Sequence, residues 1–217
     1  MSDWFKQVRE NTDNIVHEIK NHPFIKGLIA GSLPKDVFQF YINQDALYLA
    51  EYKKVLATVG IKCHAVEETQ FFLDAATGIL AVEDALHKTY IKDLAFNTVP
   101  SPTCELYTSY LARITANHSL SEGLAAVLPC FTVYKEIGDY IQANQNEQAN
   151  NPYQSWIDTY GGIDFENSVN KAIAITNKYA QSADKETLNN MELSFTKSTK
   201  LEWLFWDSAF KKEAWKI

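Results

Sequence analysis

A chain of 217 residues, 46% of them apolar and 22% charged, is long enough for one large well-buried core and little more. With only 8 Gly and 6 Pro it lacks the frequent turns of an all-β fold and suits long helices. The formal charge of −7, with Lys and Arg scattered, argues against a nucleic-acid partner, and no apolar run approaches the ~18 residues of a membrane span.

The first helix is expected over residues 3–20, where Trp4, Phe5, Val8, Ile15, Val16 and Ile19 recur at mostly helical spacing. It stops at Asn21-His22, because the ring of Pro23 pushes the residue before it out of helical conformation. A short segment over 24–30 ends at Gly31, a plausible left-handed cap, and Pro34 with Asp36 opens the next helix. That helix, 34–59, carries Phe38, Tyr41, Asp45, Tyr48, Leu49 and Tyr52 every three or four residues. Another is expected over 64–94, then a loop at 97–102 with two prolines, and helices over 103–117 and 121–144. A polar loop at 144–151 leads to a short helix at 152–160, a stop at Gly161-Gly162, and two last helices over 164–182 and 185–212. With no internal repeat and no strand signal, the whole of 1–217 reads as a single all-α domain.

The polar opening MSDWFKQVRE lacks the apolar core of a signal peptide. Three cysteines, Cys63, Cys104 and Cys130, give no disulfide framework and read as reduced thiols, so a cytoplasmic chain is expected. The 11 Tyr among 5 Trp and 12 Phe suggest a polar, aromatic-walled cavity, although rings of this kind also simply fill helix interfaces.

Three places could carry chemistry. Pro129 inside an apolar helical run removes a backbone hydrogen bond, and Cys130 follows it, with Tyr134 one turn on and within reach of the thiol. The competing reading is a small core hydrophobe. Asp45 lies mid-helix among Tyr41, Tyr48 and Tyr52, where a buried carboxylate needs a donor from the protein or from a ligand. Glu202 shares a face with Phe205 and Trp206, and an apolar setting raises a carboxyl pKa towards that of a working acid.

These residues, taken in order, resemble the thiaminase II (TenA) family. The resemblance rests on His22-Pro23-Phe24, Gly31, Tyr41 with Gln44-Asp45 and Tyr48-Leu49, Tyr107-Thr108-Ser109 and Leu128-Pro129-Cys130 with Tyr134. It continues through Trp156-Ile157, Tyr160-Gly161-Gly162 and Glu202 with Phe205-Trp206, and so covers essentially the whole chain. The chain is similar to the form that carries a cysteine after the proline. The resemblance implies a haem-oxygenase-like multi-helix bundle, a homotetramer, and hydrolysis of 4-amino-5-aminomethyl-2-methylpyrimidine or thiamine to the hydroxymethylpyrimidine. It implies Cys130 as the nucleophile that adds to the ring, Glu202 as the group on a ring nitrogen, and Asp45 as the anchor for the 4-amino group. Tyr48, Tyr107, Tyr134, Tyr160 and Phe205 become pocket residues, with Tyr107 against Tyr110 left open. No metal or other cofactor is implied.

Other classes of function have thinner support. Asp84 stands at the i, i+3 di-iron spacing from His87, with Glu83 at i, i+4, but no second such motif is found, and His17 is a lone helical histidine. The alternative is a pyrimidine-binding or regulatory protein without catalysis; the presence of both Cys130 and Glu202 favours catalysis, because binding alone would not need a thiol. A thiol inert to iodoacetamide at neutral pH would favour that alternative.

Overall fold

In the structure, a computed structural model, helix boundaries fall at Pro23, Gly31, Pro102 and Gly162, and others fall where the chain has neither proline nor glycine. The structure describes residues 3–90, 99–145 and 150–217, without the side chains of 79–90. Among these residues there are ten helices and no strand. They are α1 (Trp4–Asn11), α2 (Asp13–Asn21), α3 (Pro23–Ile29), α4 (Lys35–Lys62) and α5 (Val66–Tyr90), followed by α6 (Pro102–Asn117), α7 (Leu120–Asn144), α8 (Gln154–Gly161), α9 (Ile163–Gln181) and α10 (Lys185–Lys211). The proline loop and the polar loop expected at 97–102 and 144–151 fall partly outside the described residues.

His22 adopts extended backbone (φ −63°, ψ 139°) ahead of Pro23, and its Nδ1 accepts from the Phe24 amide at 3.2 Å. At the other end of α3, Gly31 takes φ +65°, which glycine adopts without strain. Its amide donates to Leu28 O and the Ser32 amide to Gly27 O, so the last carbonyls of the helix are satisfied. The single helix expected over 3–20 is instead two. Thr12, with φ −106° and ψ 9°, turns its hydroxyl back onto the carbonyls of Val8 and Arg9 at 3.0 and 3.1 Å, which competes with helical continuation. Glu136 of α7 ties both pieces down, accepting two bonds of 2.7 Å from Arg9 and one of 2.6 Å from Lys20.

The long helices α4 and α7 are buried on most of their circumference, as in a bundle centre rather than on its surface. Helix α10 packs along α7, α5 packs along α4, and α6 and α9 close the sides. Ser119 and Glu122 form a reciprocal capping box at the start of α7, which fixes where that helix begins. Helix α8 lies on α7 at Gly138. A Cβ there would come within 2.7 Å of the Tyr160 carbonyl carbon and 2.8 Å of the Gly161 nitrogen, both backbone atoms. Gly138→Ala should therefore destabilise the fold by about 1–3 kcal/mol despite alanine's better helix propensity. Urea unfolding reads this as a lower midpoint with an unchanged slope.

Candidate active site

The central helices bring the singled-out residues to one place. On α4 the face Tyr41, Asp45, Tyr48 and Tyr52 is wholly buried, as its three- and four-residue spacing requires. A cavity of about 450 Å³ opens beside it, a size suited to a small flat ligand. Asp45 and Tyr52 from α4, Cys130 and Tyr134 from α7, and Tyr160 from α8 line it. Phe71, Phe131 and Phe165 add apolar wall, and Asp74 and Asp164 are exposed residues at its rim.

Glu202, Tyr107, Tyr48 and Phe205 pack immediately behind these residues, with the Glu202 carboxyl close enough to bear on the Cys130 thiol. All four are buried, and the Tyr107 hydroxyl donates to Glu202 Oε1 at 2.6 Å. The ring of Tyr48 packs on those of Tyr52, Tyr107 and Phe205 at centroid distances of 5.4, 4.9 and 5.5 Å. Of the two candidate tyrosines on α6, Tyr107 is the one turned inwards. Tyr110 reaches the Ser194 carbonyl at 3.5 Å and lies under Arg113. The rings of Tyr134 and Tyr160 pack at a tilt of 47° with centroids 4.8 Å apart on the cavity side, with Trp156 against both. The Tyr134 hydroxyl meets that of Tyr41 at 3.3 Å, so the phenols set against the Cys130 thiol are Tyr48 and Tyr52 from the neighbouring helix.

Electrostatics in this pocket are dominated by desolvation. Burial lifts the Glu202 carboxyl to about 8, against the Tyr107 bond that favours its charge and with the negative Asp45 adding to the rise. A carboxyl of that kind is still largely protonated at neutral pH and can donate a proton. Burial also pushes the Cys130 thiol well up, and the negative charges of Glu202 and Asp45 push it further, while Tyr48 and Tyr52 pull it back. The side chain is half-buried and its accessible side faces the cavity. Such a thiol should alkylate slowly at neutral pH while no ligand is bound, so slow alkylation does not separate an enzyme from a binding protein.

Spacing along single helices found Asp45, Cys130 and Glu202, but not Phe71, Phe131 or Phe165. Nothing but their aromatic character and their place beside the other motifs could have pointed to them. Among the described residues no three His, Cys, Asp or Glu side chains stand together in a way that could hold a metal ion. His17 is exposed on α2 and pairs with Asn21, whereas Glu83, Asp84 and His87 lie outside the described side chains. No described helix is long and apolar enough to cross a membrane.

Fold and cavity together define a class of protein: an all-α bundle that surrounds an aromatic pocket with one thiol and two buried carboxyl groups, those of Asp45 and Glu202. Residues 6–212 match the TENA/THI-4/PQQC family, and the chain belongs to it. It is 32% identical over 200 residues to the aminopyrimidine aminohydrolase of Bacillus subtilis (strain 168), an alignment covering 89% of this chain and 84% of the relative. A TenA homologue from Pyrococcus furiosus superposes with a TM-score of 0.89 at 20% identity, over 95% of this chain and 99% of the other. A domain of unknown function with a heme oxygenase-like fold from Shewanella denitrificans OS217 superposes at 0.72 and 16% identity, over 96% and 92%. The fold is thus the haem-oxygenase-like helical bundle.

Proposed function

We propose that this chain is an aminopyrimidine hydrolase that releases 4-amino-5-hydroxymethyl-2-methylpyrimidine from the aminomethyl compound and from thiamine. The observation that carries the reading is the meeting of a cavity-facing thiol, Cys130, with a carboxyl raised to about 8, Glu202, and the buried Asp45 in one aromatic pocket. Kinship with the Bacillus subtilis aminopyrimidine aminohydrolase supports the choice of substrate.

An aromatic pyrimidine resists substitution until its conjugation is broken. Sulfur adds to a ring carbon, and the electron pair of the broken ring π bond goes to a ring nitrogen. Glu202 protonates that nitrogen as the bond forms. The adduct then releases its amine from the exocyclic carbon. Ammonia leaves the aminomethyl compound with the bonding electrons and one proton, whereas thiamine loses its thiazole. Water adds at the exocyclic carbon and loses a proton, the nitrogen returns its own proton, and the sulfur departs. For the aminomethyl compound the balance is one water consumed and one ammonia released. Asp45 holds the 4-amino group and the neighbouring ring nitrogen. The rings of Tyr134 and Tyr160 bind the flat substrate directly, and Tyr48, Tyr107 and Phe205 support the site from behind. The same reading takes 1–217 as a single domain, cytoplasmic in location and assembled as a homotetramer.

Incubating the protein with each compound and following hydroxymethylpyrimidine by chromatography tests this. Release from either is the expected result. No release from either, by protein that still binds the product, would overturn the enzymatic reading and leave a pyrimidine-binding protein.

A further inference from the structure

Helix α6 brings Tyr107 to the site, and what fastens the first turn of that helix lies outside the cavity. The amides of the turn are matched one by one. Pro102 has none to give, the Cys104 amide donates to the Ser101 hydroxyl at 3.2 Å, and the Thr103 amide donates to the Glu213 carboxylate at 2.9 Å. Just before them the Ser101 amide donates to Gln44 Oε1 of α4 at 2.7 Å. Ser101, Thr103 and Gln44 are all buried, so losing a partner here is costly.

Glu213 belongs to the segment that follows α10, which is bent back onto α6. Lys212 takes φ 48° and ψ 57°, and among the described residues it is the one non-glycine with a left-handed backbone. The turn is closed by the Lys212 amide on Ala209 O at 3.1 Å and the Glu213 amide on Ser208 O at 2.8 Å. Glycine fits such a turn without strain, whereas the lysine brings a side chain that pairs with Asp36 at the start of α4. Further on, Trp215 Nε1 donates to the Pro100 carbonyl at 2.9 Å. The segment over 212–215 thus ties the starts of α4 and α6 to the end of α10, and these are the helices that carry Asp45, Tyr107 and Glu202.

We propose that Glu213 is a positioning residue for the acid of the site: by holding the first turn of α6 it keeps the Tyr107 hydroxyl on Glu202. Thr103 and Tyr107 stand one turn apart on the same face of α6, so a shift at the first is carried to the second. The bond at stake, 2.6 Å from the phenol to Glu202 Oε1, is short and tolerates little displacement. It favours the charged carboxylate, so its loss moves the Glu202 carboxyl still further above its ordinary range. Around Glu202 stand also Asp45, Tyr41, Tyr48 and Tyr52 of α4, Cys130 and Tyr134 of α7 and Tyr160 of α8, none of them a cation. The inference rests on Glu202 being the acid of the proposed reaction, but its test reads the carboxyl directly and needs no substrate.

Infrared difference spectroscopy isolates the Glu202 carboxyl by subtraction of the Glu202→Gln spectrum, and the band is then titrated with pH. Glu213→Ala should raise the midpoint by about one pH unit, the worth of one hydrogen bond to a charged group. Glu213→Gln, whose amide oxygen can still accept from Thr103, should leave the midpoint where it is in the unaltered protein. In Tyr107→Phe the bond is already gone, so adding Glu213→Ala should move the midpoint no further. A segment that served only to fasten the fold would lower the urea midpoint of Glu213→Ala and leave the Glu202 titration unmoved, and that result would overturn the proposal. So would an equal shift in Glu213→Gln, or an additional shift on the Tyr107→Phe background. Should Glu213→Ala fail to fold, Trp215→Ala frees the same segment from Pro100 and should raise the midpoint in the same direction; an unmoved midpoint there would overturn the proposal equally. A moved midpoint in protein that hydrolyses neither compound would sink the hydrolase reading and leave the positioning role standing.

Discussion

Replacing Cys130 with serine is expected to lower hydroxymethylpyrimidine release from both compounds by at least about 10⁴-fold, while the protein still folds and still binds the product. The magnitude follows from removing the covalent route altogether, since among the described residues lining the pocket there is no base comparable to a triad histidine for a serine hydroxyl. The substitution is mild for the fold. Cys130 is only half-buried, and a serine on α7 can return its hydroxyl to the carbonyl four residues back, as Thr132 does to Leu128 at 3.2 Å. Steady-state assays paired with calorimetric titration of the product separate the two effects. Undiminished release by the serine variant would remove Cys130 from the reaction and with it the adduct mechanism.

The second large effect belongs to Glu202. Glu202→Gln keeps the shape and can still accept from Tyr107, but it has no acidic proton for the ring nitrogen. Its kcat is expected to fall by about 10²–10⁴-fold with a smaller change in KM. The same variant has a stability signature with a definite sign. The Glu202 carboxyl sits at about 8 when folded, well above its ordinary 4.5, so the folded state holds a proton that the unfolded chain has released. The stability this contributes is complete below pH ~4.5 and is lost as pH rises through about 8, at up to about 1.4 kcal/mol per pH unit. Glutamine does not titrate, so urea unfolding measured between pH 5 and 8 should fall less steeply in the variant than in the unaltered protein. Parallel curves would place the Glu202 carboxyl near its ordinary value and weaken its case as the proton donor.

Much of this architecture is readable from residue order because its determinants are local. Pro23 and Gly31 act through their own backbone or through residues a few positions away, and the boundaries they imply agree with the structure to within one or two residues, whereas the helix expected to start at 121 starts at Leu120 because Ser119 and Glu122 cap it reciprocally. The missed break at Thr12 is a local conflict of another kind. Apolar spacing continues across it, and only the hydroxyl's competition for Val8 and Arg9 ends the helix. In the site, the face Tyr41, Asp45, Tyr48 and Tyr52 is visible as periodicity on one helix, as is the neighbourhood of Glu202. What sequence spacing put wrongly was the company of the thiol. Tyr134 is its helical neighbour, yet Tyr48 and Tyr52 reach the sulfur from α4, and the approach of two helices is a long-range property that spacing within either does not encode.

The contact at Gly138 bears on how this pocket could change its substrate. Where α8 meets α7, the Tyr160 and Gly161 backbone lies against Gly138, so the depth of Tyr160 is set by a main-chain spacing that no replacement at Gly138 can narrow and that an added Cβ would widen only at a cost to the fold. The opposite wall is different. Ala75 and Gly78 of α5 face the same cavity, and a Cβ added at Gly78 would meet no atom within 4 Å. Attempts to redesign or evolve the enzyme towards other leaving groups therefore have one plastic side, α5, and one that is fixed by the fold itself.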